Sequence, residues 1–106
     1  MEQWFVACRR RDIPADRGWP VTIQGHPIAV FAVGDALFAL DNVCMHIGSP
    51  IDDGAIADGC VTCPWHGWRY DLATGDQLTA FGQKRGLHSY PVRDVDGTIE
   101  VAVEVR

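Results

Sequence analysis

The sequence lacks the features that direct a protein to or through a membrane. No apolar run approaches the roughly eighteen residues of a membrane-spanning helix, and residues 1–4 do not begin a signal peptide. Basic residues are also few, nine against fourteen acidic ones, which gives a formal net charge of −5. We therefore expect a soluble, cytoplasmic protein that binds neither membrane nor nucleic acid and that docks a basic partner.

Helical periodicity is missing as well, because no stretch of ten or more residues repeats its apolar positions at helical spacing. Short apolar stretches separated by turn residues predict instead an all-β fold, a small sandwich or barrel. With 106 residues, the chain is expected to form one domain, residues 1–106, without room for a second catalytic module. The predicted strands are residues 4–8, 21–23, 28–33, 36–40, 87–92, 92–95 and 98–103, and the predicted turns are 24–27, 34–35, 73–76 and 96–97.

Cysteine and histidine are scarce, with four of each, yet two of each stand in two close pairs. Cys44 and His46 form a C-x-H pair, and after sixteen intervening residues Cys63 and His66 form a C-x-x-H pair. This doubled set indicates one mixed metal site. Zinc accepts the same ligands and stays an alternative, although zinc fingers usually separate paired ligands by about two to five residues. A catalytic Cys/His pair would need only one cysteine and one histidine. A disulfide framework is also disfavoured, because the cysteines have spacings typical of metal sites and Cys8 would have no evident partner.

Further residues around these pairs carry a resemblance to a known family. They are Gly48 two residues after His46, Gly67 directly after His66, the pairs Tyr70-Asp71 and Thr74-Gly75, and the L-x-x-Y-P-V sequence of residues 87–92. With these motifs the chain resembles the Rieske-type 2Fe-2S ferredoxins, over most of its length. Two branches are similar, the ferredoxin component of ring-hydroxylating oxygenases and the small subunit of NADH-dependent nitrite reductase.

The resemblance implies a cofactor and its ligands. One Rieske 2Fe-2S cluster would be bound, with Cys44 and Cys63 on the buried iron and His46 and His66 on the outer iron. The two pairs would lie on two loops at the tip of an inserted cluster-binding subdomain, about residues 42–82. Apolar cover around them would come from Met45, Ile47, Pro50, Pro64, Trp65 and Trp68.

Three positions separate this chain from other Rieske branches. The respiratory type has an extra cysteine near each pair, but Ile47 or Gly48 and Trp65 take those places here, so no cross-linking disulfide is expected. The ferredoxin and oxygenase type has a serine two residues after the second histidine, whereas this chain has Trp68. The missing serine, a donor to a bridging sulfide, and the absent disulfide both predict a reduction potential of about −150 mV, the low end of the Rieske range. Tyr70 keeps the position of a tyrosine that donates to a cysteine sulfur.

The resemblance implies electron transfer without catalysis. The chain would carry one electron from a flavin-containing reductase to a terminal oxygenase or reductase, as a monomer when free. An oxygenase would also need a mononuclear iron held by two histidines and a carboxylate. Beyond the cluster ligands only His26 and His88 remain, and neither lies in a helical motif with a carboxylate. The alternative is a non-catalytic electron-transfer small subunit of a larger enzyme such as nitrite reductase.

Overall fold

The computed structural model describes residues 1–44, 49–64, 67–78 and 86–105. Its regular structure in these ranges is almost entirely β, which confirms the predicted fold class. The strands are Glu2–Arg9 (β1), Trp19–Ile23 (β2), His26–Val33 (β3), Ala36–Asp41 (β4), Ala55–Ala57 (β5), Cys60–Thr62 (β6), Arg69–Asp71 (β7), Val92–Val95 (β8) and Thr98–Glu104 (β9), with one 3₁₀ turn at Arg10–Asp12. In the part of the chain described, no helix is long and apolar enough to cross a membrane.

The strands form three antiparallel sheets of three strands each, in the orders β1-β9-β8, β2-β3-β4 and β5-β6-β7. Tight two-residue turns close several of the hairpins. At residues 96–97 the backbone φ angles are 52° for Asp96 and 88° for Gly97. Two positive φ angles define the type I′ turn, whose twist matches that of the flanking strands and which favours Asp-Gly. The predicted hairpin at this position is therefore confirmed.

The β2-β3-β4 sheet lies between two cores because β3 is apolar on both faces. Residues 28–31 of this strand are all fully buried. Side chains alternate along a strand, so Ile28 and Val30 pack into one core while Ala29 and Phe31 pack into the other. The first of these cores is closed by alternate residues of β9, and the second by residues of β6 and β7. The central sheet thus links the body of the molecule to the small β5-β6-β7 sheet.

One predicted strand is wrong. Residues 87–92 were expected to be extended, but β8 begins only at the last of them, and the segment makes a single isolated bridge to β4. The competing interaction is the carboxylate of Asp41, which accepts hydrogen bonds from the Tyr90 hydroxyl and from the main-chain N–H of His88. Burial and this bond to Asp41 raise the pKa of Tyr90. These side-chain bonds add to two main-chain bonds with β4, in which Asp41 donates to the carbonyl of His88 and Tyr90 donates to that of Ala39. Residues 86–90, here called the strap, therefore run beside β4 without forming a regular strand.

The small sheet β5-β6-β7 lies within the range 42–82 that the sequence predicts as an inserted subdomain. Strands β5 and β6 were not predicted, whereas β7 contains the Tyr70-Asp71 pair of the family motif. The boundaries of the subdomain stay a prediction.

Candidate metal centre

Cys44 and Cys63 follow strands of two different sheets and meet in one core. Cys44 lies three residues after β4, and Cys63 comes directly after β6. Each side chain is 1% exposed, and both belong to the same buried cluster. Two thiols in one dry core suit a metal centre that needs two buried thiolate ligands.

Each cysteine opens a loop that its own main-chain N–H closes. Cys44 donates to the carbonyl of Ser49 at 2.6 Å, and Cys63 donates to the carbonyl of Trp68 at 2.7 Å. Gly67 then donates back to the carbonyl of Cys63 at 3.1 Å. Its φ of 71° lies in the left-handed region that glycine enters without steric cost. The two loops, residues 44–49 and 63–68, are therefore fixed at both ends.

The predicted histidine ligands, His46 and His66, belong to these two loops in sequence but lie outside the described residues. The structure thus brings the two cysteines together, and the ligand role of the histidines stays a prediction. The same holds for the predicted cover at Met45, Ile47 and Trp65, and for the motif glycine Gly48.

Two further predicted cover residues, Pro50 and Pro64, are exposed. Trp68 is half-buried and packs against the core that contains both cysteines. Trp68 is therefore part of this core, and its role as a shield of the cluster stays a prediction.

Tyr70 places a hydroxyl against one of the two sulfurs. Its side chain is fully buried on β7, and its hydroxyl oxygen lies 3.5 Å from Sγ of Cys44. A thiolate bound to a metal can only accept, so the phenol O–H is the donor in that state. The structure shows the contact that the sequence predicts. Hydrogen bonds to cluster sulfurs are one of the means by which a protein sets the potential.

The other two cysteines do not join this core. Side chains alternate along β6, so Cys60 faces away from Val61, and its Sγ lies 3.6 Å from the carbonyl of Asp58. Cys8 packs against the second core instead, where burial and the nearby Asp12 carboxylate raise the pKa of its thiol to about 11. Both carry free thiols. Although Cys60 and Cys63 have a C-x-x-C spacing, Cys63 belongs to the buried cluster that contains Cys44 and Cys60 does not.

Asn42 is a residue of this site that the sequence did not reveal. It lies two residues before Cys44, is 8% exposed, and bonds through its side chain to Ile51 and Asp52. No motif marks it, because its partners come close only in the folded chain.

The donors present fit a Rieske cluster on its cysteine side. Such a cluster needs two thiolates in an apolar setting and donors directed at sulfur. Cys44 and Cys63 meet the first requirement, and the hydroxyl of Tyr70 meets the second.

Known proteins resemble this chain in sequence and in structure. The Rieske [2Fe-2S] domain family matches residues 3–91. The anthranilate 1,2-dioxygenase ferredoxin subunit of Burkholderia cepacia is 43% identical over 77 residues, which are 73% of this chain and 70% of that protein. A chain in the complex of reduced oxygenase and oxidised ferredoxin of carbazole 1,9a-dioxygenase has a TM-score of 0.83 at 26% identity, with 97% of this chain and 95% of that chain covered.

A structure assigned to the small subunit of NADH-dependent nitrite reductase from Mycobacterium tuberculosis has a TM-score of 0.89. The identity is 24%, over 100% of this chain and 99% of that chain, so this likeness shows the shared fold alone.

The family match spans both cysteine pairs, and the two cysteines of these pairs share one buried core. Sequence family, fold and donor set agree on the same cofactor. The chain therefore belongs to the Rieske [2Fe-2S] domain family, and its cofactor is one Rieske 2Fe-2S cluster.

Proposed function

We propose that this chain is a one-electron carrier that passes electrons from a reductase to a terminal oxygenase. The observation that carries the proposal is the pair of buried thiols, Cys44 and Cys63, in one core with the Tyr70 hydroxyl against a sulfur. The relative with 43% identity is named a ferredoxin subunit of a dioxygenase. The chain is thus an electron-transfer component and not a catalytic one.

Four residues would hold the cluster in this proposal: Cys44, His46, Cys63 and His66. When bound, the cluster supplies a site that gains and loses one electron. The chain's own residues set the conditions for that exchange. The core keeps water from the two thiolates, and the closed loops fix the sulfur positions. Tyr70 donates to the sulfur of Cys44 and so favours the more negative, reduced state.

The partners follow from the proposed role. A terminal oxygenase would accept the electron, which is supported by the fold shared with a chain of an oxygenase–ferredoxin complex. A flavin-containing reductase would supply it. We place this exchange in the cytoplasm, where the free thiols of Cys8 and Cys60 suit a reducing compartment.

Metal analysis with matched variants tests the ligand set. The purified protein should be reddish brown, with about two irons and two acid-labile sulfides per chain. Cys63→Ser should lose most of the iron, whereas Cys60→Ser, three residues away, should keep it. His46→Ala and His66→Ala should likewise lose iron, and His26→Ala and His88→Ala should not. One zinc per chain without labile sulfide would overturn the proposal.

The alternative role, a small subunit fixed in a larger enzyme, predicts a different behaviour in solution. A diffusing carrier sediments as a monomer at micromolar concentration and exchanges electrons with a separately added reductase. A fixed subunit instead copurifies with its enzyme in a constant ratio. Analytical ultracentrifugation of the protein purified from its own source distinguishes the two.

A further inference from the structure

Asn42 is a buried polar residue whose side chain makes three hydrogen bonds to one short segment. Its Oδ1 accepts from the main-chain N–H of Ile51 at 2.8 Å and from that of Asp52 at 3.0 Å. Its Nδ2 donates to Oδ1 of Asp52 at 2.9 Å. Buried polar groups are costly unless they are bonded, so these three bonds lock the side chain of Asn42 in one orientation.

The segment that Asn42 holds, residues 51–54, is here called the anchor turn. Gly54 donates to the carbonyl of Ile51 at 2.9 Å, and Gly18 donates to the carbonyl of Asp52 at 2.8 Å. Asp52 is therefore bonded at its N–H, its carbonyl and its carboxylate. Ile51 is fully buried in the core that contains Cys44. The anchor turn thus has little freedom to move relative to that core.

The anchor turn also packs against the strand that leads to Cys63. A Cβ atom added at Gly54 would lie closer than real atoms approach to the carbonyl oxygen of Thr62 and to the side chain of Val61. Thr62 directly precedes Cys63. A continuous series of contacts therefore runs from Cys44 through Asn42 and the anchor turn to Cys63.

We propose that Asn42 and Asp52 form a positioning pair that fixes the two cluster-binding cysteines relative to each other. The inference rests on the proposed function, because it takes Cys44 and Cys63 as ligands. In the described part of the chain, the side chain of Asn42 bonds to Ile51 and Asp52 and to neither cysteine. It sets the point at which the first loop returns to the core, two residues after its closing carbonyl at Ser49. Without the pair, the sulfurs can move apart, which changes the electronic structure of the cluster and loosens it.

A charge-swap series tests the pair. Asn42→Asp removes the amide donor and sets a second carboxylate against that of Asp52 at the 2.9 Å contact, so that two like charges meet. The double variant Asn42→Asp/Asp52→Asn restores an amide donor, now on residue 52. It also keeps an oxygen on residue 42 that can accept from the main-chain N–H groups of residues 51 and 52. Val30→Ala serves as a stability control, since Val30 is fully buried in the other core.

The readouts are the g values of the reduced cluster by electron paramagnetic resonance, the reduction potential, and the rate of iron release to a chelator. We expect Asn42→Asp to shift the g values and the potential and to release iron roughly tenfold faster. The double variant should return all three toward the wild type. Val30→Ala should lower the melting temperature and leave the g values unchanged.

Two results would overturn the positioning role. One is that Asn42→Asp loses stability but keeps the wild-type g values and potential. The other is that the double variant behaves no better than the single one. Either result is distinct from failure of the proposed function, which would appear as wild-type protein that holds no iron–sulfur cluster.

Discussion

The hydroxyl of Tyr70 is a single group whose removal isolates one influence on the potential. Tyr70→Phe keeps the buried ring and removes only the donor that lies 3.5 Å from Sγ of Cys44. The reduced cluster carries more negative charge on sulfur, so it loses more from this change than the oxidised one. We expect the potential to fall by roughly 50 mV, close to the 59 mV that corresponds to a tenfold change for one electron.

Voltammetry of Tyr70→Phe beside Tyr90→Phe checks this prediction. Tyr90 also donates its hydroxyl to a neighbour, the carboxylate of Asp41, but it belongs to the other core. Tyr90→Phe should therefore leave the potential within experimental error of the wild type. An equal fall in both variants would trace the effect to lost stability and not to the sulfur.

Single residues of the site were predictable from the sequence where a motif of fixed local spacing identifies them. The C-x-H and C-x-x-H pairs identified Cys44 and Cys63, and the motif position identified Tyr70. Asn42 was not predictable, because its partners are nine and ten residues away and meet it only after folding. Trp68 was predicted as a missing donor, and the structure adds that it packs on the core of the cysteines. The low potential expected from it stays a prediction.

At the scale of elements, a strand was predictable where no side-chain hydrogen bond competes with the main-chain bonds of the sheet. The Asp96-Gly97 turn and the alternating residues of β9 define their hairpin without help from the rest of the chain. The strap has a sequence typical of a strand, but the carboxylate of Asp41 accepts hydrogen bonds from the N–H of His88 and from the hydroxyl of Tyr90. Side-chain hydrogen bonding thus outweighed the apolar pattern there, and a sequence alone does not show which acid will be close.

The contact between the strap and the turn after β7 yields a prediction about stability. Gly75 has φ of 81°, and Leu87 donates to its carbonyl at 2.7 Å. A Cβ at this position would also overlap the carbonyl of Leu87. Gly75→Ala therefore adds a steric clash to the cost of a left-handed alanine, which is about 1–2 kcal/mol. We expect the melting temperature to fall well below that of a variant with the backbone cost alone.

Gly97→Ala provides that comparison. Gly97 has φ of 88°, but a Cβ there meets nothing within 4 Å. Thermal unfolding of both holoproteins, followed by circular dichroism, should show the larger loss for Gly75→Ala, by at least several degrees. Equal losses would mean that the strap moves aside without cost and does not brace the turn.

At the scale of the whole molecule, the three sheets enclose two separate cores, and only one of them contains Cys44 and Cys63. Cys44 and Cys63 both belong to the core toward the small sheet and not to the core between β2-β3-β4 and β1-β9-β8. In the proposed function, the second core therefore stabilises the fold while the first holds the cofactor. Among the described residues, β3 contributes alternate side chains to both cores, so a substitution on this strand can be directed at one core and leave the side chains in the other unchanged.

The net charge of −5 predicts how the rate of electron transfer to charged partners depends on salt. A negative molecule attracts cations and repels anions, and salt weakens both effects as the screening length shortens from about 30 Å at 0.01 M to about 8 Å at 0.15 M. Electron transfer from the reduced protein to the cation hexaammineruthenium(III) should slow as salt is added. Transfer to the anion ferricyanide should accelerate over the same range. Stopped-flow measurement with both oxidants separates charge from driving force, because only charge gives slopes of opposite sign. Slopes of the reverse sign, or none, would show that the surface around the cluster is not negative and that a basic partner has no electrostatic advantage there.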